Sequence, residues 1–335
     1  MKKSHQLHFK EFLYTFEMKT FKVMFVFFIL LKQLMANEPS PYGYEIPNTP
    51  INIGGYIDAI YDDVASEKFV FDDVALLLSA RYNRFDFLSE MEISELSLDG
   101  KSKGSSDIRI NVERFQLTYA LSDTENLIAG RFNSDIGYWN QAPINILQAT
   151  TTKPHIFESI FPEHTTGLMY QNTISDEDSF SLTVQHSEDI GQKDKSLIVD
   201  RHFAMAYYKV YEDFSLRFAT GFYRDKDFHN EAYYLGFGSE YEMDDFTLQA
   251  EFYTQSYDDE QQSYNAYLQS VWNFSPKHDV VLRLEQYNEQ GVDDTIVLVG
   301  YVYRPTVNTA LKTEYIQHSN HLPLNRFVSS FSVLF

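Results

Sequence analysis

The side chains that could do chemistry here are charged, and they fall at alternate positions. Arg81, Arg114, Arg131, Arg217, Arg283, Glu251, Glu285, Lys312 and Glu314 each lie opposite the apolar face of their own segment. Charges on one face can steer ions and polar solutes through their field, with no covalent step. Two readings stay open. The arginines could face carboxylates across a gap and set up a transverse field, or they could pair with neighbouring glutamates along a wide, unselective polar wall. Nucleophilic catalysis would need a Ser or Asp beside His186 or His202, but no G-x-S-x-G elbow and no H-E-x-x-H helix occurs. His318 and His321 are too few for a transition-metal site. The aspartate pairs (62–63, 72–73, 244–245, 258–259, 293–294) lack calcium-loop spacing and read as solvated turns. No metal and no cofactor is expected.

Composition narrows the classes. The chain has 335 residues, 27 Lys+Arg against 48 Asp+Glu, and a net charge of −21. A phosphate backbone wants a basic face, so nucleic acid is not the expected partner. With no cysteine, disulfides, thiolate metal sites and Cys nucleophiles are excluded. Aromatics make up 16%, with 24 Tyr and 28 Phe, yet the mean hydropathy is −0.34. Membrane helices would be more apolar than that. A membrane β-barrel needs this mixture, because only alternate residues face lipid.

The elements that must position the charges are strands. Period-two alternation runs from about residue 51 to the end. Val280, Leu282 and Leu284 alternate with Val281, Arg283 and Glu285; Phe246, Leu248, Ala250 and Phe252 alternate with Thr247, Gln249, Glu251 and Tyr253. The pattern predicts sixteen strands, near 51–61, 73–82, 84–93, 108–120, 125–132, 164–173, 179–187, 201–211, 213–224, 231–242, 245–257, 262–273, 278–288, 295–304, 307–317 and 326–335. Connectors alternate short and long, as in a barrel with tight turns at one end and loops at the other. The expected fold is all-β: a transmembrane antiparallel up-and-down barrel of about 16 strands, in one domain over 51–335. Tyr61, Tyr82, Tyr119, Tyr170, Tyr207, Tyr257 and Tyr303 near strand ends suit the headgroup level.

Val23 to Leu31 is an apolar run of nine, with Lys19 and Lys22 before it and Ala36 after it. As a helix it would span roughly 14 Å, about half a hydrocarbon core. This reads as a secretory signal over 1–36, with Met18 an alternative start, followed by a periplasmic segment 37–50.

The end of the chain, FVSSFSVLF, places Phe327, Phe331, Val333 and Phe335 in alternation. An exported, cysteine-free, acidic chain ending this way resembles the Gram-negative outer-membrane β-barrel class, in which such an ending is read by the barrel assembly machinery. Ala129-Gly130-Arg131-Phe132 followed by Asp135-Ile136-Gly137-Tyr138-Trp139-Asn140 is similar to the strand-then-loop region of porins. The resemblance implies that the loop after the fifth strand, 133–163, folds into the lumen. Its constriction candidates are Asp135, Trp139, Asn140, His155, Glu158 and Glu163. It also implies a water-filled, non-enzymatic channel for small hydrophilic solutes or ions, set among outer-membrane lipid and lipopolysaccharide, and a homotrimer. A barrel hydrolase and a non-conducting structural or adhesive barrel are the alternatives.

Overall fold

A computed structural model describes residues 43–66, 68–97, 109–190, 197, 199–225, 230–258, 262–289 and 291–335. The signal expected over 1–36 lies outside the described residues. The strands are β1 (Tyr44–Glu45), β2 (Ile51–Asp62), β3 (Phe69–Tyr82), β4 (Phe85–Ser97), β5 (Arg109–Ala120), β6 (Glu125–Asn133), β7 (His164–Thr173), β8 (Asp178–Gln185), β9 (Val199–Tyr211), β10 (Phe214–Asp225), β11 (Glu231–Met243), β12 (Phe246–Tyr257), β13 (Gln262–Ser275), β14 (His278–Glu289), β15 (Val292–Thr306), β16 (Thr309–His318) and β17 (Arg326–Leu334). Each of β2 to β17 pairs antiparallel with its chain neighbours, and β17 pairs with β2, so sixteen strands close on themselves. Closure leaves no sheet edge, which a lipid-exposed sheet requires because lipid offers no hydrogen bonds.

Alternation along each strand sorts the side chains by face. On β14, Leu282 and Leu284 are 51% and 48% exposed, while Val281, Arg283 and Glu285, which alternate with them, are 0%, 1% and 3% exposed. The exposed set recurs around the barrel in Leu235, Phe237, Phe252, Leu268, Val299 and Leu311. Apolar groups outside and polar groups inside are the reverse of a water-soluble barrel and suit a hydrocarbon surround.

The seam is finished by Phe335 and β1. Leu334 is in register with Tyr56, and Phe335 and Gly55 then exchange two main-chain hydrogen bonds of 2.8 Å. Farther along β2, β1 takes over, with Tyr44 opposite Ile53. Gly55 has a reason to be glycine, because a Cβ there would lie 2.9 Å from the Phe335 ring. Two-residue turns at 83–84, 212–213 and 244–245 join strands at the end that holds β1 and Phe335; 134–163 is at the other.

Two register shifts change which residues face inward. Glu90 pairs with Arg114 but Met91 pairs with Val112, so Glu113 is an extra residue in β5. Between Asp58 and Ala59 the partner jumps from Asp73 to Phe71. Such bulges re-aim side chains.

Candidate functional site

The segment between β6 and β7 packs against the inner face of the wall. Its apolar side groups Ile136, Trp139, Ile156, Phe157, Ile160 and Phe161 with wall residues of β9 to β13 in the largest buried cluster. The wall makes room with small side chains: Ala204, Ala206, Ala219 and Ala232 are all buried there. A Cβ on Gly238 would meet the Tyr138 ring at 2.8 Å. Gly137 turns the segment with φ +72, a conformation glycine adopts without a Cβ penalty.

Polar anchors fix the segment along half of the barrel. Arg217 of β10 donates to Asp135 Oδ1 at 2.9 Å. The Tyr138 amide donates to Glu251 Oε1 at 3.2 Å, and Tyr267 donates to Glu251 Oε2 at 2.6 Å. Arg283 of β14 donates to Glu285 Oε1 (2.7 Å), Thr150 Oγ1 (2.9 Å) and the Thr152 carbonyl (2.8 Å). Glu285 Oε2 accepts the His155 amide at 2.7 Å. Glu314 accepts the amides of Thr151 and Thr152. Lys312 donates to Asn145 Oδ1 at 2.8 Å and to the Thr150 carbonyl at 3.1 Å. Arg304 holds the Ile146 and Gln148 carbonyls. Lacking a sheet partner, this stretch has its backbone groups satisfied by charged wall side chains, and hydrogen bonds to charged groups are the stronger kind.

His155 is the segment's titratable hinge to β14. Its ring lies against that of Tyr287, tilted by 36° with centroids 4.1 Å apart. Nε2 lies 3.0 Å from Glu289 Oε1, off the N–H axis, so that contact is an ion pair more than a hydrogen bond. Nδ1 is 3.6 Å from Glu158. Burial works against the charged ring, but the two carboxylates outweigh it and lift the pKa from 6.5 to about 10.

The opposite part of the wall, β2 to β5, is acidic. Between it and the segment lies a cavity of about 140 Å³, lined by Asp73, Glu90, Glu92 and Glu113 on the wall side and by Trp139 and Lys153 on the other. Glu90 accepts from Tyr56 at 2.6 Å and pairs with Arg114.

The expected residues therefore fall into distinct groups. Arg217, Arg283, Lys312, Glu251, Glu285 and Glu314 converge on the segment. Arg131 turns instead to Asp189 of the next long connector, at 2.8 and 3.1 Å. Arg81 stands at the short-turn rim, 79% exposed and paired with Asp86 at 2.8 Å, because its position is the last inward one before the turn. Asp135 meets a wall arginine, whereas Glu158 lies beside His155 and Glu163 takes Lys153 at 2.6 Å. Asn140 bonds the Ser134 and Glu163 carbonyls, tying the segment's ends together. Of the arginine-facing-carboxylate arrangement, Arg217–Asp135 links the wall to a carboxylate of this segment, whereas Arg283 and Arg304 meet its carbonyls. His202 is buried with both ring nitrogens bonded, to Thr165 and Tyr234, and His186 is exposed. An Asp294–His318 pair exists at 2.8 Å, but Asp294 Oδ1 also accepts the amides of Thr295, Ser319 and Asn320. That carboxylate ties down a connector.

Sequence reasoning passed over Glu90, Glu92, Arg304 and Glu113. The first three share the inward parity of their strands, set by Met91 and Tyr303, and could have been found. Strict alternation sends Glu113 outward, and only the bulge turns it in.

No protein-family model matches the chain, and no curated protein matches its sequence. Solved structures do match its fold. OmpF of Salmonella typhi in complex with daunomycin is similar with a TM-score of 0.65 at 11% identity, over 87% of this chain and 99% of that one. An anion-selective porin from Comamonas acidovorans gives 0.63 at 12% identity, over 86% and 100%. OmpT, an outer-membrane protein of Vibrio cholerae, gives 0.62 at 9% identity, over 87% and 99%. The fold is that of porin-like Gram-negative outer-membrane β-barrels.

Proposed function

We propose that the chain is an outer-membrane porin: a water-filled channel through which small hydrophilic solutes or ions diffuse passively. About sixteen strands leave an aqueous lumen, whereas about eight are filled by side chains. The observation that carries this reading is the inner segment, 134–163, anchored along β10 to β17 while a polar cavity persists beside β2 to β5. A segment seated there narrows the lumen without filling it. Its fixed backbone makes the opening a permanent constriction, and solutes are sorted by size and charge at that level. No step of chemistry is required of any side chain. The mature protein begins after a cleaved signal, assembles through the terminal Phe327–Phe335 pattern, and forms homotrimers, as a trimer form of Vibrio cholerae OmpT, a fold neighbour, does. Liposome swelling tests the reading. Vesicles carrying the folded protein should swell in small sugars, with the rate falling steeply as sugar size rises. Vesicles that swell no faster than protein-free ones would contradict it.

A further inference from the structure

The inner wall is divided by charge, and the segment covers only one part. Arg217, Arg283, Arg304 and Lys312 lie beneath it with donors committed to Asp135 or to its carbonyls. The cavity left beside β2 to β5 is lined by six carboxylates against one lysine and one histidine. Arg114 and Arg131 reach Glu90 and Glu113 from the wall, and the balance is still negative. A second observation points to a mobile counter-charge. Asp58, 1% exposed, holds the inward position between the lining residues Tyr56 and Ile60 and is in register with Asp73. Ser332 is the neutral donor beside it, and no cationic side chain bonds either carboxylate oxygen. Lys312 is felt there, but its donors are taken by the segment. Two carboxylates in register repel unless one takes up a proton or a cation is near. Among the described residues no group of three His, Asp or Glu side chains could hold a metal ion, so the acids act as a spread field and not as a chelating site.

We propose, resting on the channel reading above, that the solute path runs between the inner segment and β2 to β5 and passes small monovalent cations in preference to anions, with Asp73 and Glu92 as the selectivity-determining side chains. The basic wall residues, committed to the segment, do not set the sign. A spread field is screened by salt: the Debye length is about 10 Å at 0.1 M and about 3 Å at 1 M. The preference therefore weakens as salt rises.

The test is the reversal potential of the full chain in planar bilayers under a KCl gradient. The potassium-to-chloride permeability ratio should exceed one at 0.1 M and fall toward one at 1 M. Asp73→Asn combined with Glu92→Gln should lower the ratio by at least about twofold. Lys153→Gln, which removes a cation from the lining, should raise it, and it keeps the proposal testable if the double variant does not fold. A conducting protein with a ratio at or below one, or a ratio untouched by these substitutions, overturns the selectivity while the channel stands. A folded barrel that never conducts overturns both.

Discussion

Replacing Arg283 with Met removes an anchor and leaves the wall shape nearly unchanged. Arg283 is buried, and its two well-formed bonds to the inner segment go to Thr150 Oγ1 at 2.9 Å and the Thr152 carbonyl at 2.8 Å. Its pair with Glu285 does not enter the comparison, because both residues are on β14 and stay together when the segment lifts. A hydrogen bond to a charged group contributes about 1.5–3 kcal/mol, so losing two lowers the free energy of opening by at least about 3 kcal/mol. Every 1.4 kcal/mol is tenfold in population, so opening becomes at least about 100-fold more frequent. Hydrogen–deuterium exchange reads this directly, because the Thr151, Thr152 and His155 amides are bonded to Glu314 and Glu285 only while the segment is seated. Their protection should drop by that factor relative to amides of β12 and β13. Arg283→Lys should fall between, since an ammonium cannot reproduce the fork of a guanidinium. Protection within about threefold of the parent in Arg283→Met would refute the claim that wall charges hold the segment.

Three further outcomes follow from the same geometry. The folded-state pKa of His155, about 10, lies above its ordinary 6.5, so the stabilisation from its charge is complete below pH 6.5 and is lost as pH rises through 10. Exchange at residues 153–158 should accelerate across that window beyond the intrinsic rate, and His155→Gln should remove the extra pH dependence. Gly130 has φ +120, and a Cβ there would sit 2.1 Å from the Phe115 carbonyl oxygen; Gly130→Ala should cost a few kcal/mol and lower the temperature at which the barrel loses its compact mobility on a gel. Leu282 is half exposed on the outer face, and Leu282→Arg should cost about 2–4 kcal/mol if it lies near the bilayer midplane, measured by urea titration in lipid.

Much of the barrel was legible because lipid and water impose opposite demands on neighbouring residues. Phe218, Leu282 and Val299 point away from the face that holds Arg217, Arg283 and Leu298, and only a strand separates sequence neighbours in this way. Strand ends were less legible. The alternation starts at Asp73 because the bulge around Asp72 breaks it, yet pairing continues to Phe69. The same limit hid Glu113, whose direction depends on a register shift and not on parity. Which wall charges meet the inner segment was not legible. That depends on Ala204, Ala206, Ala219 and Ala232 opening a seat on β9 to β11, which makes the segment settle on the basic side. A row of inward alanines is the signal that sequence reading could have used. Of the three candidate carboxylates of the segment, Asp135 lies beside Arg217 of the wall, whereas Glu158 and Glu163 lie beside His155 and Lys153 within the segment itself.

Planar-bilayer conductance of the folded protein addresses the central claim most directly. A lumen narrowed but not filled by residues 134–163 predicts stepwise current increments of fixed size, each step one insertion event. A barrel shown to be folded by heat-modifiable mobility that yields no steps at any salt concentration would contradict the channel and leave a sealed structural barrel in its place.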